Sequence, residues 1–210
     1  MIIGLIGMSG AGKSSWASKL AAAGFTWLHC DELIADKLRA NFDIGAGSVH
    51  DLGKWMGFPY EARYAEYEAI YLANETEVLG NILQDIVRGD YTNADLIIDL
   101  TGSAIYVDRE LLNRIRQFAT IVYLAVSPKL HGQMVQDYIA NPRPMIWNGF
   151  YRPLPHEAPA AALARCYPHL LADRERLYAE ISDVKLDDAL HRSPEFDVSA
   201  FLRYVEHGRD

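Results

Sequence analysis

Short runs of apolar, β-branched residues alternate along this chain with longer stretches in which apolar residues recur every three or four positions. The first pattern marks buried strands and the second amphipathic helices. Residues 1–6 (MIIGLI), 25–30 (FTWLHC), 94–100 (ADLIIDL), 119–125 (ATIVYLA) and 184–186 read as strands. Residues 13–23, 32–40, 60–88, 107–118, 127–140, 160–181 and 199–207 read as helices, with Gly24 and Gly89 placed to end two of them. In the longest, Tyr64, Tyr67, Ile70, Tyr71, Val78, Leu79, Ile82, Leu83 and Ile86 make one apolar face, with a break near Asn74 left open. Glycines in residues 41–54 (NFDIGAGSVHDLGK) predict a loop and then a short helix. Residues 141–159 (NPRPMIWNGFYRPLPHEAP) hold five prolines and cannot be regular helix. Loops of that length in compact domains are commonly lids or binding loops.

Strands alternating with helices predict an α/β fold, a three-layer sandwich with a mostly parallel sheet and helices on both faces. The 210 residues suffice for a single domain with a sizeable core, and no internal repeat divides it. A formal net charge of -8 argues against nucleic acid as the main partner. Cys30 and Cys166 stand far apart in sequence, which suggests no disulfide framework and fits a reducing cytoplasm. No stretch approaches the ~20 apolar residues of a membrane span, and the first apolar run lacks the basic flank of a signal peptide. The seven histidines show no metal-ligand spacing.

The junction of the first strand and first helix carries the clearest chemistry. Gly7-Met8-Ser9-Gly10-Ala11-Gly12-Lys13-Ser14 fits G-x-x-x-x-G-K-[ST], the phosphate-binding P-loop, and Ser15 follows in the first helical turn. Glycines let backbone N–H groups close on phosphate oxygens, and the helix N-terminus adds partial positive charge. Lys13 is placed to reach the β- and γ-phosphates of ATP, and the Ser14 hydroxyl to ligate Mg²⁺. Asp99, at the end of a buried strand, is a second candidate Mg²⁺ ligand, because a buried carboxylate is costly unless it is paired or faces a site. Asp31 follows the second strand, at the sheet edge that carries ligands in open α/β folds. Its carboxylate is suited to orient or deprotonate a substrate hydroxyl, and also to cap the next helix.

Taken in order, these pieces resemble the shikimate kinase family, within the nucleoside-monophosphate-kinase-like group of P-loop small-molecule kinases. Residues 24–34 (GFTWLHCDELI) are similar to that family's second strand and Asp-containing turn. Ala62-Arg63-Tyr64-Ala65-Glu66 resembles its F-R-x-x-E helix, and Thr101-Gly102-Ser103 stands where it has T-G-G-G. Residues 121–124 (IVYL) and Arg143-Pro144-Met145-Ile146 resemble its V-Y-L strand and R-P-L-L lid. Residues 171–183 (LADRERLYAEISD) resemble its late E-R-x-x-L-Y helix. The resemblance implies that Asp31, Arg63, Thr101, Gly102, Ser103 and Arg174 line an acceptor pocket, with residues 41–60 forming part of it. It also implies that Arg143 reaches the phosphates from a lid at residues 141–160. Arginines suit both tasks, as bidentate donors to carboxylate or phosphate. Arg152 is a second lid candidate, and Glu66 stands at helical spacing to pair with Arg63.

The chain departs from the family where D-x-D becomes His29-Cys30-Asp31 and where T-G-G-G becomes Thr101-Gly102-Ser103-Ala104. The expectation is therefore ATP-dependent phosphoryl transfer, with Mg²⁺, to a hydroxyl of a small anionic metabolite, with these departures weighing against shikimate itself. Lys13, Asp31 and Arg143 would carry the catalysis. The alternatives are a nucleotide-binding regulatory module without turnover, a dephospho-coenzyme-A or nucleotide kinase, and an enzyme acting on RNA ends. The sequence leaves the oligomeric state open.

Overall fold

The computed structural model describes residues 1–42, 44 and 49–208. Residues 43 and 45–48, in the loop expected to help bind the acceptor, lie outside the described residues. The strands are β1 (Ile2–Ile6), β2 (Thr26–His29), β3 (Leu96–Asp99), β4 (Thr120–Leu124) and β5 (Val184–Leu186). The helices are α1 (Lys13–Ala22), α2 (Cys30–Asn41), α3 (Val49–Met56), α4 (Tyr64–Arg88), α5 (Arg109–Arg116), α6 (Pro128–Ala140), α7 (Pro159–Ile181), α8 (Asp188–His191) and α9 (Val198–His207). A 3₁₀ turn spans Ala104–Tyr106.

The five strands form one sheet in the order β2-β3-β1-β4-β5, and every pairing is parallel. Helices cover both sides, so the inner strands are buried along almost their whole length. This is why residues 96–98 and 121–124 read as continuous apolar runs rather than as alternation. The chain leaves β1 toward β2 on one side, then crosses to β4 and β5 on the other. That reversal opens a crevice at the carboxyl ends of the strands, beside β1.

Local signals set the helix ends. Asp108, Ser127 and Asp197 cap α5, α6 and α9 by accepting from the backbone N–H groups of Glu110, Leu130 and Ala200 at 2.7, 3.3 and 2.8 Å. Gly89 ends α4 with φ 85°. Helix α4 runs unbroken through Asn74, whose side-chain amide donates to the Ile70 carbonyl at 2.8 Å instead of competing for the helix bonds. Cys30 belongs to α2 rather than to the preceding strand, so Asp31 sits in the first helical turn. Both cysteines are free and buried. Among the described residues no helix is long and apolar enough to cross a membrane.

Candidate functional site

The loop joining β1 to α1 packs against the end of β4. Gly7 has φ 149°, and a Cβ built there would lie 2.6 Å from the Leu124 carbonyl oxygen. Gly10 and Gly12, at φ 82° and 100°, take backbone conformations that L side chains rarely adopt, and no atom would crowd a Cβ on either. Their surroundings are therefore open on the side where a phosphate would enter. The first N–H groups of α1 have no intrahelical acceptor and present partial positive charge at the same place. Lys13 is buried, and its ammonium donates to the carbonyls of Gly7 at 2.9 Å and Met8 at 3.2 Å. Burial lowers its pKa, Asp99 and Asp31 oppose that, and Arg174 adds to it.

A cavity of about 830 Å³ opens over this loop. Its walls include Ser9, Gly10, Gly12, Lys13, Ser14 and Ser15 from the loop and α1, and Asp31 from α2. Thr101, Gly102 and Ser103 follow β3, and Tyr71, Asp137, Arg143 and Arg174 also stand on the polar wall. Leu52, Met56, Met134, Ile146, Tyr138 and Tyr167 make an apolar side, on which Tyr138 and Tyr167 stack at 4.0 Å. Seven segments distant in sequence thus converge at the carboxyl ends of the strands. A second cavity, of about 520 Å³, lies near the amino-terminal ends of β1 and β4, with Glu206 as its charged residue.

Asp99 ends β3 in register with Leu5 and His29, 6% exposed and below the cavity wall rather than in it. Burial raises the Asp31 carboxyl, the Lys13 charge opposes this, and Asp99 adds to it. Mg²⁺ takes hard oxygen donors, one or two of them carboxylates, with water and phosphate completing the shell. The Ser14 hydroxyl and the two carboxylates beside Lys13 are donors of that kind, and the open glycine cradle fits the phosphates. Among the described residues no group of three or more His, Cys, Asp or Glu forms an all-protein metal cage.

Arg174 is 5% exposed. It donates to the Ile146 carbonyl at 2.7 Å and lies over the Tyr106 ring at 5.6 Å, and its Nε has no partner. Among the described residues it makes no ion pair with a carboxylate, although a guanidinium stays charged at any ordinary pH. Glu75, on α4 and fully buried, accepts from the hydroxyls of Thr101 and Ser103, the latter at 2.8 Å. Tyr178 donates to the Gly102 carbonyl at 2.7 Å and so fixes the same turn from α7.

Arg63 is not brought to the cavity. It sits at the start of α4, with its guanidinium 3.2 Å from the Lys54 carbonyl, 3.3 Å from a Glu61 carboxylate and over the Tyr67 ring. Its ion partner is thus Glu61 rather than Glu66. Arg152 also points elsewhere, donating to the Gly149 carbonyl at 3.1 Å. The segment expected as a lid is tied down over part of its length. Met145 accepts from the Tyr64 hydroxyl at 2.7 Å, Ile146 from Arg174, and the Trp147 and Asn148 N–H groups donate to Glu68 at 2.6 and 2.8 Å. Trp147 is 1% exposed among Tyr138, Tyr151 and Tyr167.

Two residues escaped the sequence reading. Glu75 falls between Tyr71 and Val78 on the apolar face of α4, where a charge is itself a signal. Arg192 follows α8 and donates to the Gly10 carbonyl at 2.9 Å while its Nε donates to Asp188 at 2.6 Å. Its position past the last strand was the available hint. No protein-family model and no curated protein matches this chain.

Proposed function

We infer that the chain is a kinase that uses Mg-ATP to phosphorylate a hydroxyl of a small anionic metabolite. The observation that carries this reading is the convergence on one cavity of the glycine loop with Lys13, the Asp31 carboxylate, and Arg143 and Arg174. The five-stranded parallel sheet supports it, because its crevice lies at that same edge. Lys13 and the loop N–H groups would hold the phosphate oxygens of the donor. Ser14, with Asp99 beneath, would hold Mg²⁺, which offsets charge on the bridging oxygens when bound.

Asp31 orients the acceptor hydroxyl and takes its proton as the new O–P bond forms and the bond from the γ-phosphorus to the bridging oxygen breaks, with ADP leaving. A carboxylate raised by burial is a better base than an exposed one, which suits that role. Arg143 stabilises charge on the transferring group. The buried guanidinium of Arg174, whose Nε has no partner and which makes no direct ion pair among the described residues, supports an anionic acceptor, because a carboxylate or phosphate there would pair with it directly. Acceptor-stimulated ADP formation that is abolished by Asp31→Asn, with ATP binding retained, is the expected result. Equal turnover with and without every acceptor offered would contradict it.

A further inference from the structure

The turn after β3 is held by a hydrogen-bond system centred on Glu75, which Tyr71 joins through Ser103. Glu75 Oε1 accepts from the Thr101 hydroxyl, and Oε2 accepts from the Ser103 hydroxyl at 2.8 Å. The two hydroxyl oxygens are 3.0 Å apart, and Thr101 Oγ1 also accepts from the Ser103 backbone N–H at 3.1 Å. A hydroxyl has one proton and two lone pairs. With Glu75 ionised, charge-assisted bonds commit both protons to the carboxylate. Neither hydroxyl then has a proton left for the cavity, whose wall both residues share, and each offers it only the lone pair that the Ser103 N–H or the Tyr71 hydroxyl leaves free.

We propose that Glu75 is a positioning residue that sets the hydrogen-bond polarity of the acceptor site, making Thr101 and Ser103 select substrate groups that donate, such as hydroxyls. The proposal rests on the kinase reading only in calling the cavity's occupant an acceptor. It divides the cavity into an anion pole at Arg174 and a donor-reading wall at Thr101 and Ser103. An acid lacking hydroxyls leaves that wall's lone pairs without partners, which is a penalty.

Protonating Glu75 changes the polarity of one half of the wall. A carboxylic acid must donate its own proton, so one hydroxyl is released to donate into the cavity. Burial raises this carboxyl to about 7, and the Thr101 and Ser103 hydroxyls hold it down. The titratable and charged groups that face it are Asp31 and Cys30 of α2, Tyr71 one turn earlier on α4, and Arg174 of α7. Asp31 lines the same cavity, so its own titration stays in any pH profile when Glu75 is replaced.

The test is calorimetric binding, without nucleotide, of 4-hydroxycyclohexanecarboxylate and 4-oxocyclohexanecarboxylate, which share a ring and a carboxylate and differ in that the hydroxyl can donate whereas the ketone can only accept. At pH 8.5 the wild-type chain is expected to prefer the hydroxy acid by roughly tenfold or more, and to lose most of that preference at pH 6, where the wall offers the ketone a donor. Glu75→Gln keeps the shape but donates to one hydroxyl. Its preference at pH 8.5 should match that of the wild type at pH 6, because its wall also offers the ketone a donor. Where Glu75→Gln does not fold, Ser103→Ala, which removes one reading hydroxyl, should lower the preference alone. No preference at pH 8.5, or one unchanged by either substitution, overturns the proposal, whether or not ATP turnover is found. Loss of turnover with the preference intact would instead overturn the kinase reading alone.

Discussion

The Lys13 ammonium donates to the Gly7 carbonyl 2.9 Å away and so closes the glycine loop on itself. The same ammonium faces Asp31 and Asp99, which hold its charge against burial. It is both a clasp of the loop and a cation at the proposed phosphate site. Lys13→Ala is expected to weaken ATP binding by roughly 1.5–3 kcal/mol, the range for a charged hydrogen bond. Calorimetric titration with ATP checks this, and unchanged affinity would remove Lys13 from the phosphate site.

Gly7 and Gly10 should respond differently to alanine. At Gly7 a Cβ would meet the Leu124 carbonyl at 2.6 Å, whereas at Gly10 it would meet nothing within 4 Å. Gly10→Ala then costs the backbone term of about 1–2 kcal/mol. Gly7→Ala should cost clearly more, because β4 must shift as well. Urea denaturation of the two variants side by side reads the difference.

Glu75 gives a stability signature with a definite sign. Its carboxyl is raised from 4.5 to about 7, so the fold favours the protonated form. That contribution is complete below about pH 4.5 and is lost as pH rises to about 7. Relative to Glu75→Gln, the wild-type chain should therefore lose on the order of 3 kcal/mol across that window. Denaturation of both proteins at pH 5 and pH 8 measures it, and parallel profiles would contradict the assignment.

The three arginines should separate. Arg174→Met removes a buried charge with no carboxylate partner, so stability should change by less than about 1–2 kcal/mol. The acceptor KM should nevertheless rise roughly tenfold or more, the loss of a charged hydrogen bond. Arg143→Ala should act on kcat, because its charge is needed as the phosphoryl group transfers. Arg63→Ala should leave both constants within about twofold of wild type, as its contacts are with Lys54, Glu61 and Tyr67. Steady-state kinetics of the three variants checks the set.

Most of the fold was legible because burial on both faces leaves a plain mark. Residues 96–98 and 121–124 are apolar throughout since helices cover both sides of β3 and β4. The short α8 escaped because four residues are too few for a periodic pattern. Within the site, the glycine loop was legible from spacing, since its chemistry is local in sequence. Arg63 was read from a resemblance in a five-residue stretch, and whether a side chain at a helix start points in or out is decided by tertiary packing. Glu75 needed the fold: only the turn after β3 supplies the two hydroxyls that make a buried carboxylate tolerable there. The anchoring of residues 145–148 likewise depends on Tyr64, Glu68 and Arg174, which are distant in sequence.

The most direct measurement is coupled ADP release from Mg-ATP against a panel of hydroxylated acids including shikimate, with sugars, nucleosides and dephospho-coenzyme A alongside. The account predicts release that depends on a hydroxylated acid, at about 1–100 s⁻¹ for a fitting acceptor, and that is lost in Lys13→Ala. ATP bound by the wild-type chain but released as ADP at the same slow rate with every acceptor would contradict it, and would mark a nucleotide-binding module instead.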